Sequence, residues 1–88
     1  MSYLEQRGER VHQAAVGAVN AEIARQGVTV SEVAKAAAMP RTTLHNRLRG
    51  KGDMTVSELV RVAIALDVPA AALLTSAMEA AQVEEERD

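Results

Sequence analysis

Eighty-eight residues, with a mass of 9.4 kDa, allow one domain and exclude a two-domain enzyme. The chain is 48% hydrophobic and 25% charged, which is typical of a globular protein. With one Tyr, no Phe and no Trp, its core must be aliphatic. Since it has no Cys, disulfides and thiolate zinc sites are excluded. The net charge of −2 argues, on average, against a nucleic-acid partner.

The first predicted element is a long helix over Tyr3–Gln26. Gly8 weakens it near its start, where fraying is expected, and Gly27 is the residue expected to end it. The apolar positions that define its buried face recur every four residues, at Val11, Ala15, Val19 and Ile23.

Two capping boxes mark the helices that follow. In Thr29-Val30-Ser31-Glu32, and again in Thr55-Val56-Ser57-Glu58, the threonine hydroxyl can accept the glutamate amide while the carboxylate accepts the threonine amide. These boxes predict helices over Val30–Ala38 and Val56–Leu66. Between them, Pro40 suits a first helical turn and predicts a helix over Pro40–Arg49.

A last helix is predicted from Pro69 to about Val83, followed by a frayed acidic tail at 84–88. This helix carries an apolar stripe of Leu73, Leu74, Ala77 and Met78 that is predicted to be core. For the C-terminal part of the stripe, a dimer contact is the alternative. No alternating strand pattern occurs, and alanine, the best helix former, makes up about a fifth of the chain. The sequence therefore predicts an all-α fold, a single five-helix domain over 1–83 with a long first helix.

Charge is distributed unevenly along the chain. From Val33 to Gly52 there are five basic residues and no acidic one, so this window carries +5 while the rest carries −7. Such a window is either a solvated face or an attractive field for a polyanion, and local fields steer partners more than net charge does.

Residues 30–49 have the pattern of a helix-turn-helix. Ala34 is small enough for two helices to cross closely, and Leu44 and Leu48 can anchor the second helix to the core. The polar side of that second helix suits base edges, because Arg pairs with guanine, Asn with adenine and a Thr methyl with thymine. The predicted base-reading residues are Arg41, Thr42, His45, Asn46 and Arg49, with Arg41 and Asn46 the principal ones.

Other residues of this region are predicted to contact phosphates, which give affinity without sequence information. They are Thr29, Lys35, Thr43, Arg47 and Lys51. For Thr29 the reason is its place at a helix N-terminus, where amides and the helix dipole attract anions.

The stretch Thr29–Leu74 resembles the Cro/repressor (Xre-type) helix-turn-helix family, through Ala34, Leu44, Gly50 and the Ala65-Leu66-Asp67-Val68 element. The resemblance implies a lambda-repressor-like domain of five helices, the third of which enters the major groove. Members of the family act as phage repressors, Cro proteins, antitoxins or host regulators.

Three features depart from the family pattern. Ala38 stands at the turn position usually held by Gly and is strained if its φ is positive. Arg47 occupies a position that is usually apolar, which leaves open whether Arg47 or Arg49 faces the bases. The first helix is longer than the usual one.

These observations predict a sequence-specific double-stranded DNA-binding transcriptional regulator of phage-repressor or Cro type, occluding promoters as a homodimer on a palindromic site. The expected location is the cytoplasm of a bacterial or phage-infected cell, because residues 1–9 are too polar for a secretory signal and no apolar run reaches roughly 18 residues. The alternative is a protein-interaction module or antitoxin that binds a protein partner through the first helix and the acidic tail.

No catalytic activity, cofactor, metal or small-molecule ligand is expected. The sequence has no Ser/His/Asp arrangement and no Gly-rich phosphate loop, and Glu32 and Glu58 are explained as caps. The two histidines, His12 and His45, are too far apart in sequence to suggest a metal site.

Overall fold

The computed structural model describes residues 2–87, which form five α-helices and contain no strand. The helices are α1 (Tyr3–Gln26), α2 (Val30–Ala36), α3 (Arg41–Leu48), α4 (Val56–Ala65) and α5 (Ala70–Arg87). The predicted all-α fold of five helices, with a long first helix, is confirmed. Met1 and Asp88, at the ends of the predicted domain and tail, lie outside the described residues.

Helix α1 is continuous from its N-cap Ser2, whose hydroxyl accepts a hydrogen bond from the Glu5 amide, to Gln26. The fraying expected near Gly8 is therefore wrong for this structure. Gly27 ends the helix with φ of 69°, in the left-handed region that glycine adopts without steric cost, and its N–H donates to the carbonyls of Ile23 and Ala24.

Both predicted capping boxes are formed, at Thr29 with Glu32 and at Thr55 with Glu58. The helices that they start are shorter than predicted at the C-terminus, and α3 begins at Arg41 with Pro40 as its N-cap. The physical reason is a left-handed residue after each capped helix, Ala38 with φ of 55° after α2 and Asp67 with φ of 57° after α4.

We expect Ala38→Gly to raise the free energy of unfolding by roughly 0.5–1 kcal/mol. The left-handed conformation costs an L-residue about 1–2 kcal/mol, and the greater freedom of glycine in the unfolded chain offsets part of the gain. Urea unfolding measures the change. The matched control Ala24→Gly, on the exposed side of α1, is expected to lower stability by about 0.5–1 kcal/mol, and equal losses in both variants would contradict the prediction.

The core is aliphatic, as the composition requires, and Val19, Leu44 and Val62 are completely buried. Helix α5 packs along α1, while α3 packs against α1 and α2. On α5, Leu73 and Ala77 are buried but Leu74 and Met78 are exposed, so only one side of the predicted stripe is core.

The acidic segment 84–87 is helical, where a frayed tail was expected after Val83. The reason lies in the tertiary structure: Arg7 and Arg10 of α1 form ion pairs with Glu85 and hold the end of α5 against α1. Charged partners 75 or more positions apart cannot be seen in a local sequence pattern.

Within the described residues, no single helix is long and apolar enough to cross a membrane. Helices α4 and α5 reach that criterion only when taken together, and they meet at a bend of 115°.

Candidate nucleic-acid interface

Helices α2 and α3 pack against each other and are joined by a turn of four residues, 37–40. Ala34 is 1% exposed on the inner side of α2, and Leu44 is completely buried on α3. The Met39 amide closes the turn by donating to the Ala34 carbonyl at 2.9 Å, and the Met39 side chain is buried. A small residue, a tight turn and the buried anchor Leu44, with the half-buried Leu48 also packed against the core, thus fix α3 on the surface of the core.

The five predicted base-reading residues lie on one side of α3 and its C-cap, and we call them the α3 surface: Arg41, Thr42, His45, Asn46 and Arg49. At about 100° per residue they span an arc of roughly 140°, centred on the side away from Leu44. Arg41, Thr42 and Arg49 are exposed, and His45 and Asn46 are half-buried. The structure therefore brings all five together on one accessible face.

Arg41 is held at the start of this face. Its Nε donates to the hydroxyl of Ser31, in the first turn of α2, at 2.7 Å. This contact joins the N-terminal ends of α2 and α3, and the sequence reasoning missed it because Ser31 was noted only as part of a capping box.

Four of the five residues predicted to contact phosphates differ in exposure and in hydrogen bonding. Lys35 and Lys51 are exposed, and Thr43 is half-buried. Thr29 differs, since its hydroxyl accepts from the Glu32 amide and its own N–H donates to the Glu32 carboxylate. That carboxylate lies where a phosphate was expected, so the structure gives Thr29 a capping role.

Arg47 is directed away from the α3 surface. Its Nε donates to Glu58 Oε1 at 3.2 Å, and its Nη1 donates to the Lys51 carbonyl at 3.3 Å. Gly52, with φ of 80°, leaves room for this guanidinium, because a Cβ there would lie 2.6 Å from Nη1. Arg47 therefore organises the loop after α3, whereas Arg49 is the exposed arginine at the end of the helix.

The carboxyl group of Glu58 accepts two hydrogen bonds, both at Oε1. The Thr55 backbone N–H donates to Oε1 at 2.9 Å, the same oxygen that Arg47 contacts, and the Glu58 amide donates to the Thr55 hydroxyl. The Thr55 amide first, and then the Arg47 guanidinium, hold the pKa of Glu58 below its ordinary value of 4.5 despite partial burial.

We expect Glu58→Gln to flatten the loss of stability in acid. A carboxyl group whose pKa is lower in the folded state stabilises the fold above its unfolded pKa, and that contribution is lost as pH falls through the folded pKa. The free energy of unfolding, measured from pH 7 to below pH 4.5, should therefore fall less in the variant. Glu79→Gln, on the exposed side of α5, controls for net charge. Parallel pH profiles for wild type and Glu58→Gln would contradict the prediction.

Two side chains that the sequence reasoning did not single out hold the ends of these elements. Arg61 of α4 donates from Nη1 to the Ala38 carbonyl in the turn before α3, at 3.2 Å. Asn20 of α1 donates to the Leu48 carbonyl at the end of α3, at 3.2 Å. Neither contact has a local signal, because the partners are 23 and 28 positions apart.

His12 has a structural contact: its Nε2 accepts a hydrogen bond from the Met54 amide at 2.9 Å and ties α1 to the loop before α4. In residues 2–87 no group of three or more His, Asp or Glu side chains is arranged to hold a metal ion.

Comparison with known proteins finds no matching family model, no similar curated protein and no similar solved structure. The function of this chain is therefore argued from the α3 surface itself.

Proposed function

We propose that this protein is a sequence-specific double-stranded DNA-binding transcriptional regulator that inserts α3 into the major groove, in the manner of Cro/repressor helix-turn-helix proteins. The observation that carries the proposal is the α3 surface. It presents arginines near both ends and Thr42, His45 and Asn46 between them, within a segment of twenty residues that contains no acidic side chain.

The chemistry of this face matches the edges of base pairs. Arginine donates two hydrogen bonds to guanine O6 and N7, asparagine pairs with adenine N6 and N7, and a threonine methyl contacts thymine. Lys35 and Lys51 flank α3 in the chain and supply exposed positive charge for the phosphates. The Ser31 contact limits the motion of Arg41 before binding, which lowers the entropy lost when DNA is bound.

One helix of eight residues reads only a few base pairs, so useful specificity requires two copies on a palindromic site with half-sites about 34 Å apart. Bound over a promoter, such a dimer would act by occlusion, without a cofactor.

Selection from a random duplex library tests the proposal. We expect a palindromic consensus, and we expect binding to a non-specific duplex at low salt that is lost by about 0.3 M salt, because phosphate contacts release counterions. Retention of no duplex at low salt would overturn the proposal and favour the alternative, a module that binds a protein partner.

A further inference from the structure

One face of α4 is apolar and exposed. Val56, Val60 and Ile64 recur every four residues, and they are 78%, 39% and 72% exposed. Ser57, the other exposed residue on this side, is uncharged. We call the three aliphatic residues the α4 face. Contiguous exposed apolar residues that lack charge are typical of the centre of a protein interface.

The α4 face points away from the α3 surface. Glu58 and Arg61, the α4 residues that contact Arg47 and the Ala38 carbonyl, mark the side of α4 directed to α3 and its turn. At about 100° per residue, Val56 and Val60 each lie roughly 160° around the helix from Glu58, while Ile64 lies roughly 60° from Arg61. A partner centred on Val60 would therefore leave the α3 surface free.

A cavity opens beside the N-terminal end of the α4 face. It has a volume of about 210 Å³ and is lined mainly by apolar side chains, among them Val11, Val16, Val56, Leu59 and Leu74. Leu74 of α5, one of the residues lining this cavity, is 42% exposed. One end of the face is thus a recess, while the other end, at Ile64, is a projecting side chain.

We propose that the α4 face is where a second copy of this chain binds, with the two α4 helices antiparallel about a two-fold axis at Val60. This inference rests on the proposed function for its biological use, but its geometry is independent of DNA. In a two-fold interface each patch must complement itself. Antiparallel pairing about Val60 places Ile64 of one copy beside Val56 of the other, at the mouth of the cavity.

The exposed area supports a second copy as the occupant. The described chain exposes 5630 Å², about 600 Å² more than the roughly 5000 Å² expected for a folded monomer of 9.4 kDa. The α4 face and Leu74 expose roughly 400 Å², about half of the ~800 Å² that each partner contributes to a standard interface. Polar residues around the face would supply the rest as a rim.

Cysteine cross-linking of the full chain tests the pairing, because the natural sequence has no cysteine. We expect Val60→Cys, at the two-fold axis, to form a disulfide-linked dimer under mild oxidation at least tenfold faster than Val83→Cys. Val83 is a matched control, since it is also an exposed valine in a helix but lies on α5 outside the α4 face. Equal cross-linking of the two variants would overturn the proposal.

Ile64→Glu separates this inference from the proposed function. We expect it to raise the dimer dissociation constant, measured by sedimentation, at least tenfold without changing affinity for a duplex with one half-site. Wild-type protein that is monomeric up to millimolar concentration would overturn the inference even if DNA binds. A dimer that cross-links through Val60→Cys but binds no duplex would overturn the proposed function and leave the inference standing.

Discussion

Replacing Leu44 by alanine is expected to lower the free energy of unfolding by about 2–5 kcal/mol. Leu44 is completely buried and is the anchor that fixes α3 to the core. Its truncation removes buried methyl groups and leaves a cavity that the surrounding side chains fill only in part. Since folded domains are stable by only about 5–15 kcal/mol, we expect a large drop in the urea midpoint and loss of DNA binding with it.

Leu4→Ala is the matched control for this prediction. The chemical change is the same, but Leu4 is 77% exposed, so we expect a change of no more than about 0.5 kcal/mol. A similar loss at both positions, or a Leu44→Ala protein as stable as wild type, would show that α3 is not held in the way described here.

Replacing Arg41 by alanine is expected to weaken specific DNA binding by about 1–3 kcal/mol, a rise of roughly 5- to 150-fold in Kd. The guanidinium is exposed at the N-terminal end of the α3 surface and is oriented by Ser31, so its removal should also relax discrimination at one base pair. Titration of the selected duplex and of its single-base variants measures both effects. Operator affinity equal to that of wild type would refute the assignment of α3 as the reading helix.

Lys51→Ala distinguishes a base contact from a phosphate contact. Lys51 is exposed in the loop after α3, so its removal should weaken binding to all duplexes alike and reduce the slope of log K against log salt by about one. Arg41→Ala should therefore change the sequence specificity of binding, whereas Lys51→Ala should lower affinity for every duplex and leave specificity unchanged. Unfolding of each variant by urea should match wild type to within about 0.5 kcal/mol, which excludes loss of folding as the cause.

Part of the candidate site could be predicted from the local sequence pattern alone. The outward side of α3 could be predicted because a helix places residues at a fixed angle, and Leu44 gave the buried reference point. The role of Arg47 could not, because the sequence offers two arginines, Arg47 and Arg49, near the same end of α3. Only the ion pair with Glu58, eleven positions away, shows that Arg47 is directed away from the α3 surface.

The sequence alone determined the elements whose causes are local. The capping boxes at Thr29 and Thr55, the break at Gly27 and the spacing of aliphatic residues each act within about one or two helical turns, and so they predicted five helices and an aliphatic core. The tertiary structure decided everything that depends on distant partners: the helical acidic end held at Glu85, the Arg61 contact that supports the turn before α3, and the exposure of the α4 face. The reason is that hydrophobic burial and ion pairing depend on which surfaces meet in space, and one amphipathic pattern is compatible with several ways of packing five helices.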